Sequence, residues 1–128
     1  MIHKQIFSLG STFLTDNKPR SKKKHLHIVI AIHEDQALVV NITTYKPGCD
    51  SSCIIITGEH DFIEHDSFVY YAGARLMDLS KITPAKLELL IKRDMIIPKS
   101  PASTDLLKKI QEGAKISDAL PLKFRTLL

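Results

Sequence analysis

The sequence holds only two cysteines in 128 residues, too few for the disulfide framework that staples small secreted domains. Its five glycines are scattered, so no glycine-rich loop is present to cradle a phosphate. No apolar run approaches the ~20 residues that cross a bilayer. Runs such as residues 28–32 and 53–56 are strand-sized. The first twenty residues lack the basic, then apolar, then small order of a signal peptide. The expected compartment is therefore the cytoplasm, with no membrane partner, and Cys49 and Cys53 are expected to be thiols there unless a turn brings them into bridging distance. No internal repeat or low-complexity tract is found. Ser11 and Ser67 belong to no nucleophile motif, and Asp78 and Glu88 have no partner for paired-carboxylate chemistry.

What remains describes one domain. The length suits a single core, and 44% hydrophobic residues argues against wholesale disorder. The formal charge is +4. Five of the cations, Lys18, Arg20, Lys22, Lys23 and Lys24, crowd into seven positions of a loop at residues 16–24. Such a run either attracts phosphates or is simply solvated.

Residues 9–15 read as a first strand. The next segment, residues 25–33, has the clearest pattern: Leu26, Ile28, Ile30 and Ile32 alternate with His25, His27, Val29, Ala31 and His33, as in a strand with one face in a core. Residues 37–44 alternate likewise, with Leu38, Val40 and Ile42 against Val39, Asn41 and Thr43. The two should form a hairpin. A three-residue loop, Glu34 to Gln36, keeps even residues opposite even ones, because a one-residue slip exchanges faces. Ile28 then faces Ile42, Ile30 faces Val40 and Ile32 faces Leu38, while on the open side His27 meets Thr43 and Val29 meets Asn41.

Lys46 to Asp50 is a turn around Pro47-Gly48. Residues 53–57 make a short buried strand, and residues 68–77 a longer one in which Gly73 marks a bulge or bend. The period then changes. Thr83 caps a helix starting at Pro84 and ending near Arg93, with Ile82 and Leu87 as a hydrophobic staple. Pro98 and Pro101 break the chain. A second helix spans about 102–112, closed by Gly113. The expected fold is mainly β (α+β): a small, curved, SH3-like β-barrel over residues 9–82 with two C-terminal helices in residues 83–128.

Several of these segments resemble the MazF/PemK toxin family. Leu9-Gly10-Ser11-Thr12-Phe13-Leu14 is similar to its first strand, the basic loop leading into His25–His33 to its second, and Val39-Val40-Asn41-Ile42-Thr43-Thr44 to its third. The stretch Lys46-Pro47-Gly48-Cys49-Asp50, with Gly58-Glu59-His60, Phe62-Ile63, Ser67-Phe68-Val69 and Tyr71, also resembles uncharacterised small proteins of that fold. The resemblance implies an SH3-like barrel that hydrolyses single-stranded RNA without metal or other cofactor, works as a homodimer and is inhibited by an antitoxin protein. The family's catalytic arginine falls in the loop before the second strand, where this chain has Lys24, Lys23 and Arg20. A lysine cannot make the planar two-point contact of a guanidinium with phosphate.

Cleavage of RNA needs a base for the 2′-hydroxyl, a cation for the phosphorus centre and an acid for the leaving oxygen. His27 is the expected base, Lys24 or Arg20 the cation, Thr43 a hydrogen-bonding partner and His60 a second acid or base. Lys22, Lys23, Lys24 and Lys46 would bind the RNA backbone. Two other readings are open. One is a catalytically silent barrel that binds RNA or a partner protein through the basic loop and Tyr70 or Tyr71. The other is a zinc-stabilised domain using Cys49, Cys53, His60 and His65, whose spacings suit zinc but whose ligands are held apart by an extended segment.

Overall fold

The computed structural model describes residues 7–15 and 24–128. The strands are β1 (Thr12–Thr15), β2 (His25–His33), β3 (Gln36–Thr44), β4 (Ile54–Ile55), β5 (Ser67–Asp78) and β6 (Ile97–Lys99). They form one antiparallel sheet in the order β4-β5-β3-β2-β1-β6, curled into a half-barrel. The helices are α1 (Pro84–Lys92), α2 (Thr104–Ile116) and the short α3 (Leu122–Arg125). A small α+β barrel with C-terminal helices is thus the observed architecture.

The hairpin of β2 and β3 closes differently from the expected register. His33 pairs with Gln36, leaving Glu34 and Asp35 as a two-residue turn, with Glu34 at a φ of 56°. Near the tip this sets Ala31 against Leu38 and Ile32 against Ala37. A bulge at Ile30 then shifts the register, so that Ile28 meets Val40 and Leu26 meets Ile42. Like parity is restored by one extra residue in the strand rather than by a longer loop. The carbonyl of Ile30 accepts a bond of 2.9 Å from Gln111 of α2. A second irregularity lies beside it. Val39 pairs with Arg75 and Asn41 with Tyr70, so Val40 alone stands opposite residues 71–74. Irregularities of this kind sharpen local twist, and here they curl the sheet.

Both faces of the central strands are covered. Leu26, Ile28, Val40 and Ile42 pack with Val69 and Tyr71 of β5 against Leu106, Ile110 and Ala114 of α2. On the other face Val29, Ala37 and Val39 pack with Phe7 and Phe13 against Leu87 of α1 and Ile96. The open side expected for the odd-numbered residues is therefore largely a second core. The helices are seated by their caps: Thr83 Oγ1 accepts from the N–H of Lys86 at 3.1 Å and Ser103 Oγ from that of Leu106 at 3.1 Å, each worth about 1 kcal/mol.

Two expectations for the C-terminal part are corrected. Pro98 does not merely break the chain. It sits in β6 opposite Phe13, on a sheet edge, where a residue without an N–H is tolerated. Gly113 does not end α2, which runs on to Ile116. A Cβ there would lie 2.4 Å from Tyr71 Oη and 2.8 Å from Cys53 Cβ, so the glycine lets the helix press onto the sheet. Tyr71 Oη–H donates to the carbonyl of Ile110 at 2.6 Å across the same contact.

Candidate functional site

Beyond Val29 and Val39 the α1-side face of the sheet opens into a cleft of about 450 Å³. Its floor is Asn41 and Thr43 of β3. Phe68 and Tyr70 of β5 form one wall, since Phe68 pairs with Thr43 and Tyr70 with Asn41. Lys46, Cys49 and Asp50 form the other wall, and His25 closes one end. Phe68 is buried, whereas Tyr70 is 44% exposed. Their rings meet edge to face at 6.3 Å, a favoured aromatic geometry. Asp50 is committed to holding its wall. It accepts from Ser52 N–H at 3.0 Å, Ser52 Oγ–H at 2.6 Å and Ser117 Oγ–H at 2.6 Å. Burial works against its charge, but the bonds from Ser117 and Ser52 outweigh it and hold the carboxyl below the usual range.

A smaller cleft of about 150 Å³ shares His25 and Thr43 with the larger one and adds Lys24, Thr44, Glu64 and His65. Thr44 Oγ1 and His65 Nε2 are hydrogen-bonded at 3.0 Å. His25 and Thr43 thus form the ridge between the two clefts.

The imidazole placed beside Thr43 is not the one expected. His27 pairs with Asn41, and continuing the register from Leu26 and Ile42 sets His25 next to Thr43. Nor is His27 open to solvent. It is 2% exposed, its ring stacks on Phe13 at 5.6 Å, and its Nδ1–H donates to the carbonyl of His25 at 2.9 Å. Burial lowers its pKa to about 4, against the bond to His25 and with help from the charge of Arg75. A neutral, enclosed His27 is a core residue. Of the other expected groups, Lys24, Thr43 and Lys46 border the clefts. Arg20, Lys22 and Lys23 lie outside the described residues.

His60 is elsewhere. Its Nε2–H donates to the carbonyl of Ser100 at 2.7 Å and lies 3.3 Å from Thr12 Oγ1, while Nδ1 accepts from the N–H of Phe62 at 3.0 Å. Thr12 pairs with Ile28, whose side chain faces α2, so His60 approaches the opposite face of the sheet from His25. Nε2 thus ties residues 56–66 to β1 and to the residue that follows β6, while Nδ1 braces the turn within that segment. Lys109, 2.9 Å from Glu59, adds a further tie.

The zinc alternative does not assemble. Among the described residues no group of three or more His, Cys, Asp or Glu side chains is placed to hold a metal ion. Cys49 borders the larger cleft, whereas Cys53 is buried beside Gly113, its thiol pushed up by burial. Both cysteines are free.

Asn41 was not among the expected site residues. It is 4% exposed, and its side-chain amide makes no hydrogen bond to any described residue. The signal in the sequence was a carboxamide set within Val39-Val40-Asn41-Ile42, a run otherwise suited to a packed strand. No protein-family model matches the chain, and no curated protein matches its sequence. Among the described residues no helix is long and apolar enough to cross a membrane.

Proposed function

We propose that this protein binds single-stranded RNA in the larger cleft, with one unstacked base laid against the ring of Tyr70. The observation that carries this reading is the exposed Tyr70 ring, backed by buried Phe68, standing as the wall of a cleft with room for a base. Aromatic platforms of this kind take single-stranded bases of any sequence. Lys46 lies on the opposite wall and Lys24 beyond the ridge, where a ribose-phosphate strand would leave the cleft. The cationic run at Lys18, Arg20, Lys22 and Lys23 immediately precedes Lys24 in the chain, and such runs strengthen polyanion binding in a salt-dependent way.

Metal-independent cleavage of the bound strand, the chemistry of the MazF/PemK toxins that the sequence resembles, is a second reading. His25 beside Thr43 favours it. His25 would take the proton of a 2′-hydroxyl as that oxygen attacks the adjacent phosphorus. The bond from phosphorus to the 5′-oxygen would break, that oxygen would take a proton from water, and a 2′,3′-cyclic phosphate would remain. An antitoxin partner and a homodimer belong to this second reading alone.

Fluorescence anisotropy with short labelled RNAs tests the first reading. Binding that weakens with Tyr70→Ala and with added salt is expected. Binding that is absent, or indifferent to Tyr70, would overturn it. Incubation of the same RNAs tests the second: strand scission lost in His25→Ala but kept with chelator is expected, and intact RNA refutes cleavage.

A further inference from the structure

The floor of the cleft carries an unused hydrogen-bonding group. Asn41 is 4% exposed, borders the cleft and makes no hydrogen bond to any described residue, and its amide atoms are not sealed in the interior, so what remains accessible of them faces the cleft. Gly73 lies against its Oδ1, where a Cβ would fall at 3.1 Å, and the Tyr70 ring covers the same glycine. The amide is thus held at the foot of the aromatic wall, with a donor and an acceptor side by side in one plane.

We infer that Asn41 is the base-reading residue of this cleft, and that the base it selects is adenine. This rests on the RNA-binding reading above and adds to it a sequence preference. A carboxamide matches the adenine edge with two parallel bonds: its Oδ1 accepts from the N6 amino group and its Nδ2–H donates to N7. Tyr70 would stack on the face of the same base. The stacking ring supplies affinity for any base, while the amide distinguishes among them. A two-bond match of this kind corresponds to roughly tenfold discrimination or more.

The test compares short homopolymeric RNAs of adenosine, cytidine and uridine, together with an adenosine RNA carrying 7-deazaadenine, by fluorescence anisotropy on the full chain. The wild type is expected to bind oligoadenosine about tenfold tighter than oligouridine. The 7-deaza substitution should lose most of that margin. Asn41→Ala should bind all four RNAs alike, at the affinity the wild type shows for oligouridine. Equal binding of the homopolymers by the wild type overturns the inference and leaves the RNA-binding reading standing. So does a 7-deaza penalty that persists in Asn41→Ala. Should that variant fail to fold, the wild-type comparison of adenine with 7-deazaadenine decides alone. Binding of none of the RNAs refutes the proposed function itself.

Discussion

The ring of Tyr70 lies directly over Gly73: a Cβ at residue 73 would fall 2.7 Å from Cδ2 of that ring and 2.9 Å from Cε2. Glycine at this point in β5 is therefore a steric requirement of the aromatic wall. Gly73→Ala is expected to push the tyrosine off its seat and weaken RNA binding about as much as Tyr70→Ala does. Loss of one base-stacking contact corresponds to about 1–3 kcal/mol. Anisotropy titrations of the two variants and their double mutant check this. If Tyr70 is the route by which Gly73 acts, the double mutant binds no worse than Tyr70→Ala alone.

The buried His27 makes stability depend on pH in a predictable direction. Its folded pKa, about 4, is below the ordinary value near 6.5, so the unfolded chain takes up the proton first. The stabilisation from keeping this ring neutral is complete above pH ~6.5 and is lost as pH falls from there towards ~4. The full effect is about 3 kcal/mol. Urea unfolding between neutral pH and pH ~4 should show a steeper decline for the wild type than for His27→Phe, which keeps an aromatic ring against Phe13 without a titrating group. Parallel declines would show that His27 does not carry the dependence.

The strands were legible because period-two alternation over residues 25–33 and 37–44 is a local signal. Their register was not. It depends on an extra residue at Ile30 whose carbonyl bonds Gln111, far along the chain. Together with the two-residue turn, that extra residue displaces the register by two and exchanges His27 for His25 as the neighbour of Thr43. The burial of His27 was illegible for a related reason. Its face is closed by Phe13 and the segment around α1, and no window around residue 27 contains them. Pro98 reads locally as a breaker because proline is excluded from central strands, and nothing local marks a strand as lying on an edge. The helix starts at Thr83 and Ser103 show the opposite case, since a cap is decided within one turn.

Asp50 joins the Lys46–Asp50 wall to the end of α2, because Ser117 is the residue that closes that helix. Asp50→Ala removes three acceptor contacts at once and leaves the Ser117 hydroxyl without its partner. With its solvent exposure taken into account, the loss should be about 1–2 kcal/mol. It should also loosen the wall facing Tyr70. Urea midpoints measure the first effect and RNA anisotropy the second. Asp50→Ala with both unchanged would show that the wall holds without this latch.

Gly113 separates two physical expectations of opposite sign. In an ordinary helix interior, replacing glycine with alanine stabilises by about 1 kcal/mol through backbone entropy and helix propensity. Here the added methyl would meet Tyr71 Oη at 2.4 Å, Cys53 Cβ at 2.8 Å and the carbonyl of Ser52 at 3.0 Å. None of these is the free end of a flexible side chain, for Tyr71 is fully buried and its hydroxyl is bonded to Ile110. Overpacking of this kind costs about 1–3 kcal/mol. Gly113→Ala is therefore expected to lower the thermal midpoint, and Tyr71→Phe in the same chain should recover part of the loss by removing the obstructing oxygen. A raised midpoint in Gly113→Ala would mean that α2 has room to move away from the sheet, and that the close contact at Gly113 does not limit its packing.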